Sequence, residues 1–147
     1  MPEPLTPKVG SDTFVVNSDS QVCLIRRKDN GLWALPGGYQ DLGETPAECA
    51  KREFYEETGY QVKVTRLLGV FSSLRYPAGT NVNRSREVTH LLFFGELIGG
   101  EAHSSDESTE IGWFREDSLP PLSDGHFPRV QFGFDRFNCL VPDVHFE

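Results

Sequence analysis

A chain of 147 residues is the size of one compact domain with a single core, and 22 Asp+Glu against 14 Lys+Arg give it a formal charge of −8. That balance excludes a protein that grips DNA or RNA through clustered Lys and Arg, and it excludes a basic amphipathic membrane binder. A hydrophobic fraction of 37% with 14 Gly fits a globular domain and not a disordered acidic tail.

Residues 1–10, MPEPLTPKVG, are Pro-rich and lack the apolar stretch of a secretory signal, so they are expected to form a flexible segment ahead of one domain spanning 11–147. Apolar and β-branched runs predict strands at 13–16, 22–27, 62–71, 88–97 and 111–114. Turn-rich segments separate them at 17–20, 28–31, 77–83 and 99–105. Between the second and third runs, Thr45-Pro46-Ala47-Glu48 is a capping box, with Thr at the N-cap, Pro at the first helical position and Glu three residues on. The helix it opens should stop at Gly59, a residue suited to a left-handed cap. A second helix is predicted over 128–138, where Val130, Phe134 and Phe137 recur at i, i+4 and i+7. The order strands, helix, strands, helix predicts an α/β (α+β) sandwich with a mixed β-sheet between helices.

No apolar run approaches the roughly 18–20 residues of a membrane helix. Cys23, Cys49 and Cys139 are odd in number and show no C-x-x-C spacing, so neither a disulfide framework nor a zinc site is expected. These signs predict a cytoplasmic protein with no membrane association and leave its oligomeric state open.

The acidic surplus is concentrated. Residues 41–57 hold Asp41, Glu44, Glu48, Glu53, Glu56 and Glu57. At about 100° per residue, Glu53, Glu56 and Glu57 share an arc of about 100° on the helix, while Ala47, Ala50 and Phe54 form a narrow apolar stripe beside it. Like charges at i, i+3 and i+4 destabilise a helix, and anions in its last turns oppose the helix dipole. A hard divalent cation reverses both penalties, because Mg²⁺ favours carboxylate oxygens. Arg52, four residues from both Glu48 and Glu56, can brace the cluster. Ahead of the helix, Leu35-Pro36-Gly37-Gly38 allows backbone to come close to a ligand or metal.

Loop and helix together match one spaced pattern, G-x5-E-x7-R-E-U-x-E-E-x-G-U, where U is a bulky apolar residue. It runs from Gly38 to Glu44, then to Arg52-Glu53-Phe54, Glu56-Glu57, Gly59 and Tyr60. On these residues the chain resembles the Nudix (MutT-like) hydrolases. The mild departure is Tyr60, where the family more often has an aliphatic residue.

The resemblance implies a Nudix-type α/β/α sandwich and hydrolysis of the diphosphate linkage in a small nucleoside diphosphate derivative, whether ADP-ribose, a nucleoside diphosphate sugar or a (deoxy)nucleoside triphosphate. It implies Mg²⁺, with Mn²⁺ able to substitute, held by Glu53, Glu56 and Glu57 with a backbone carbonyl of Gly37 or Gly38. Glu44 and Arg52 are then orienting residues. Family members take their general base from the helix or from a downstream loop. Here Glu107, six residues before Trp113, ranks ahead of Glu57 and Glu56. The competing readings are a nucleotide sensor without catalysis, which the full set of box glutamates disfavours, and an RNA 5′-end pyrophosphohydrolase.

Outside the box the signal weakens. Arg26, Arg27, Arg84 and Arg86 are candidate phosphate contacts, since guanidinium binds phosphate oxygens in a bidentate manner. Arg75-Tyr76-Pro77 follows the box where relatives select substrate. Trp33 reads as packed structure, His90 as a core histidine, and Cys49 lacks a partner base for nucleophilic catalysis.

Overall fold

The computed structural model of the protein describes residues 6–75, 87–141 and 143–147. Along the chain these form β1 (Lys8–Phe14), β2 (Gln21–Arg27), β3 (Trp33–Ala34), β4 (Gly37–Tyr39), α1 (Pro46–Thr58), β5 (Tyr60–Ser72), β6 (Val88–Gly100), β7 (Ser108–Arg115) and α2 (His126–Phe137), with a 3-10 turn at Glu116–Ser118.

The mixed sheet is ordered β4-β1-β6-β5, and only its β1–β6 pair is parallel. A second, antiparallel sheet of order β3-β2-β7 accompanies it, a division that strand periodicity could not reveal. The two sheets are joined just after β1. Val15 leaves the first sheet and accepts a hydrogen bond from the Cys23 N–H at 3.0 Å, so one continuous run of sequence serves both. The main core gathers Phe14, Leu24, Leu68, Phe71 and Leu92 from the strands with Val130 and Phe134 from α2. A smaller cluster of Val15, Cys23, Phe54 and Val62 receives α1. Helices thus flank the sheets, as the sequence implied.

Two boundaries differ from expectation. β1 begins at Lys8 and ends at Phe14, so residues 8–10, expected to be flexible, pair in register with Val88, Thr89 and His90 of β6. A parallel partner distant in sequence extends this strand toward Pro7, which local composition cannot show. Ala47 is exposed, whereas Cys49, Ala50, Phe54, Glu57 and Thr58 are buried, so the docked face of α1 is rotated toward its carboxylates. The remaining strands and both helices lie within two or three residues of the predicted positions, apart from the very short β3 and β4.

Candidate active site

Helix α1 is set at both ends by its own sequence. Thr45 Oγ1 accepts from the Glu48 N–H at 3.1 Å, and Glu48 Oε1 accepts from the Thr45 N–H at 3.1 Å, closing the capping box. Gly59 adopts φ 80° and its N–H returns to the Tyr55 carbonyl at 2.8 Å. A side chain there would be strained by this left-handed backbone and would also strike His103.

Between these caps, Arg52 organises the glutamates. Its Nε and Nη2 bind Glu44 Oε2 at 3.0 Å and Oε1 at 2.7 Å, a bidentate fork. Its Nη1 reaches Glu53 Oε1 at 2.8 Å and Glu56 Oε2 at 3.1 Å. Glu44 is fixed from its other side by the Asp41 N–H at 2.8 Å. The Arg52 guanidinium pulls the Glu44 carboxyl down to about 2, and Glu44 in turn holds Arg52 above its ordinary range. One guanidinium thus fixes Glu44, Glu53 and Glu56 relative to one another.

Glu53 and Glu57 face the glycine turn. A Cβ on Gly38 would lie 2.5 Å from the Glu53 carboxyl carbon, so a side chain there would displace that carboxylate. The Gly37 N–H donates to Glu57 Oε2 at 3.0 Å. The Gly38 carbonyl accepts from the Cys49 thiol at 3.5 Å. Burial pushes the Glu57 carboxyl up to about 9, with Glu53, Glu107 and Asp12 adding like-charge repulsion against the opposing Gly37 hydrogen bond. Burial also raises Glu53, even beside Arg52. Carboxylate oxygens of Glu53, Glu57 and Glu107 all lie within 4.8 Å of one another. Oxygen donors of this charge and closeness suit a hard divalent cation. Glu56 stands outside that group, exposed and held by Arg52.

A cleft of about 800 Å³ opens over these three carboxylates. Arg27 and Lys28 line it, and Arg27 is paired in bidentate fashion with Asp29 at 3.0 and 2.7 Å. Arg26 points elsewhere, bound to Glu110 at 2.9 Å and to the Gly31 carbonyl at 3.0 Å, since neighbours on a strand face opposite ways. Arg75 is exposed in a turn and does not line the cleft. Tyr76, Arg84 and Arg86 lie outside the described residues. Trp33 packs edge-on against Phe114 at 4.8 Å, as its structural reading required. Burial raises the Cys49 thiol to about 11, which leaves it a poor nucleophile.

Three residues of the cleft wall, Asp12, His126 and Arg129, carry no sequence motif, and a fourth, His90, was expected in the core. Arg129, 4% exposed, sets its Nε 2.8 Å from Asp12 Oδ2, and its Nη2 lies 3.2 Å from His126 Nδ1. His126 Nδ1 also accepts the Leu35 N–H at 3.2 Å, so its neutral form is favoured, and burial keeps its pKa well below the usual histidine range. His90 lines the same wall 3.8 Å from Asp12, lowered to about 4 by burial and by Arg129. It belongs to the cleft more than to the core. The available signal was Asp12 beside a strand run and a His–Arg pair at i, i+3 on the second helix, neither of which has meaning until the fold joins them.

Comparison with known proteins agrees with this fold. The NUDIX domain model matches residues 6–132. An ADP-ribose pyrophosphatase of Methanocaldococcus jannaschii is 40% identical over 126 residues, covering 83% of this chain and 70% of that protein. The crystal structure of a UDP-X diphosphatase superposes with a TM-score of 0.86 at 27% identity, covering 99% of this chain and 70% of the other. That of an ADP-ribose pyrophosphatase from Streptococcus suis gives 0.82 at 26% identity, covering 97% and 100%. With the box, its fold and its carboxylates accounted for, the chain belongs to the NUDIX family.

Proposed function

We propose that the protein is a divalent-metal-dependent pyrophosphohydrolase that cleaves the diphosphate linkage of a small nucleoside diphosphate derivative. The observation that carries this reading is the convergence of Glu53, Glu57 and Glu107 from two separate elements on the floor of one large cleft. Similarity to an ADP-ribose pyrophosphatase and to the structure of a UDP-X diphosphatase supports the substrate class.

Glu53 and Glu57 would hold the ion, Mg²⁺ or Mn²⁺, with Glu107 completing the group. When bound, the ion neutralises diphosphate charge and lowers the pKa of the attacking water. Arg52 keeps Glu53 aimed at the cleft while occupying Glu44 and Glu56. Glu107, exposed on its loop, accepts the proton of a water that attacks one phosphorus. The new bond is water oxygen to phosphorus, and the bond broken joins that phosphorus to the bridging oxygen. A nucleoside monophosphate and the phosphorylated second moiety, or pyrophosphate, leave. Arg27 and Lys28 lie where they can meet substrate phosphates at the cleft wall. The unit we read as doing this begins with β1 at Lys8, three residues ahead of the expected 11–147.

The test is a panel of ADP-ribose, nucleoside diphosphate sugars and (deoxy)nucleoside triphosphates incubated with Mg²⁺ or Mn²⁺, with products resolved by chromatography. Release of a nucleoside monophosphate from at least one of them is expected. Failure of the whole panel with both ions would overturn the reading.

A further inference from the structure

The carboxylate group depends on Glu107, which comes from the loop before β7 and not from α1. That loop is fastened to α1 at its C-terminal end, where helix carbonyls lack intrahelical partners. The Thr58 carbonyl accepts the His103 N–H at 2.8 Å, and the Glu57 carbonyl accepts the Ser108 hydroxyl at 3.3 Å. Ser108 is 2% exposed, directly follows Glu107, and reaches the backbone of the very residue whose side chain Glu107 must meet. The loop is braced internally as well. Ser105 Oγ accepts from the N–H groups of Glu107 and Ser108, both at 3.2 Å, and lies 3.1 Å from Ser108 Oγ. Because the single Ser108 hydroxyl proton is directed to Glu57, Ser105 must be the donor between the two hydroxyls. On its far side the Glu107 carbonyl takes the Lys28 N–H at 3.0 Å. The backbone of Glu107 is therefore held at both its N–H and its carbonyl.

We infer that Ser108 is a positioning residue, a latch whose hydroxyl ties the Glu107 loop to the end of α1 and so sets the spacing of Glu107 from Glu53 and Glu57. This rests on the reading that Glu107 acts with those glutamates in hydrolysis. A serine that served only to satisfy a helix carbonyl would affect stability alone. A latch affects the carboxylate group first.

The experiment compares Ser108→Ala, Ser108→Thr, Glu107→Gln and the Ser108→Ala/Glu107→Gln double variant. Each is assayed for turnover and, without substrate, for Mn²⁺ affinity by calorimetry. Ser108→Ala should lower kcat about 10-fold with KM little changed, because a small misplacement of a reacting group is costly. It should weaken Mn²⁺ binding by about 10-fold, the effect of losing an outer partner of a metal ligand. Ser108→Thr, which keeps the hydroxyl, should recover most of both. In the Glu107→Gln background the same alanine should change neither, since the group it positions is already disabled. Impaired Glu107→Gln with unimpaired Ser108→Ala would overturn the latch alone, as would an alanine loss that persists undiminished in the double variant. Full activity in Glu107→Gln would remove the underlying role of Glu107 and the latch with it. If Ser108→Ala does not fold, Ser105→Ala cuts the brace from its less buried side. It should show a smaller kcat loss that also vanishes beside Glu107→Gln, and unchanged kcat would count against the latch.

Discussion

Glu57 is subject to two opposed demands. It is buried beside Glu53, Glu107 and Asp12, which favours its neutral acid, yet a role in holding a cation needs it ionised. Its carboxyl stands near 9 against an ordinary 4.5, so in the absence of divalent ions its contribution to stability is full below about pH 4.5 and is lost as pH rises toward 9. Glu57→Gln removes that loss and keeps an acceptor for the Gly37 N–H. Thermal melts in EDTA should therefore show the variant more stable than wild type at pH 8, by a few degrees, with the gap closing near pH 4. Added Mg²⁺ should raise the melting temperature of wild type and leave the variant nearly unchanged. Glu107 makes a kinetic prediction. Glu107→Gln should lower kcat about 100-fold, the range of a lost general base, with little change in melting temperature because the residue is exposed. The box residues were legible because fixed spacing on a helix sets which side chains share a face. Asp12, His126 and Arg129 were not, since their meeting depends on β1 and α2 packing across more than a hundred residues of sequence.

At the scale of elements, α1 is both a scaffold and the source of two of the three clustered carboxylates, and its register matters more than its propensity. The capping box fixes that register at the N-terminus, so Thr45→Ala should cost about 1 kcal/mol in denaturant unfolding. Its kcat should fall only modestly, because Arg52 still binds Glu44 in bidentate fashion. In α2 the constraint is close approach. Gly133 is helical, and a Cβ there would come 2.5 Å from Phe14 Cε2 in the main core. Alanine would improve helix propensity by about 1 kcal/mol, but overpacking a core costs about 1–3 kcal/mol. Gly133→Ala should therefore be net destabilising and lower the melting temperature by several degrees. Helix starts and stops were readable because caps are local chemistry. The length of β1 was not, because its pairing with β6 is between strands some 80 residues apart in sequence, and the rotation of α1 was not, because the strands it docks on, β1, β4 and β5, come from both sides of it in the chain.

For the whole molecule, the separation into a mixed and an antiparallel sheet places the glycine turn of β4 opposite α1 and brings the loop before β7 to the same point. Two carboxylates of α1 and one from the loop before β7 then share the floor of a cleft whose wall carries Arg27, Lys28 and Arg129. An overall charge of −8 is compatible with an anionic substrate once a cation mediates between them. Composition alone excluded holding polyanions on basic side chains. It did not exclude holding a diphosphate through metal. The most direct test of this account is the Mg²⁺ dependence of diphosphate hydrolysis, measured side by side in wild type and Glu57→Gln. Wild type should be silent in EDTA and saturate with added Mg²⁺, while the variant should lose at least about 100-fold in kcat at every Mg²⁺ concentration. Hydrolysis that survives EDTA, or a variant that matches wild type, would contradict it.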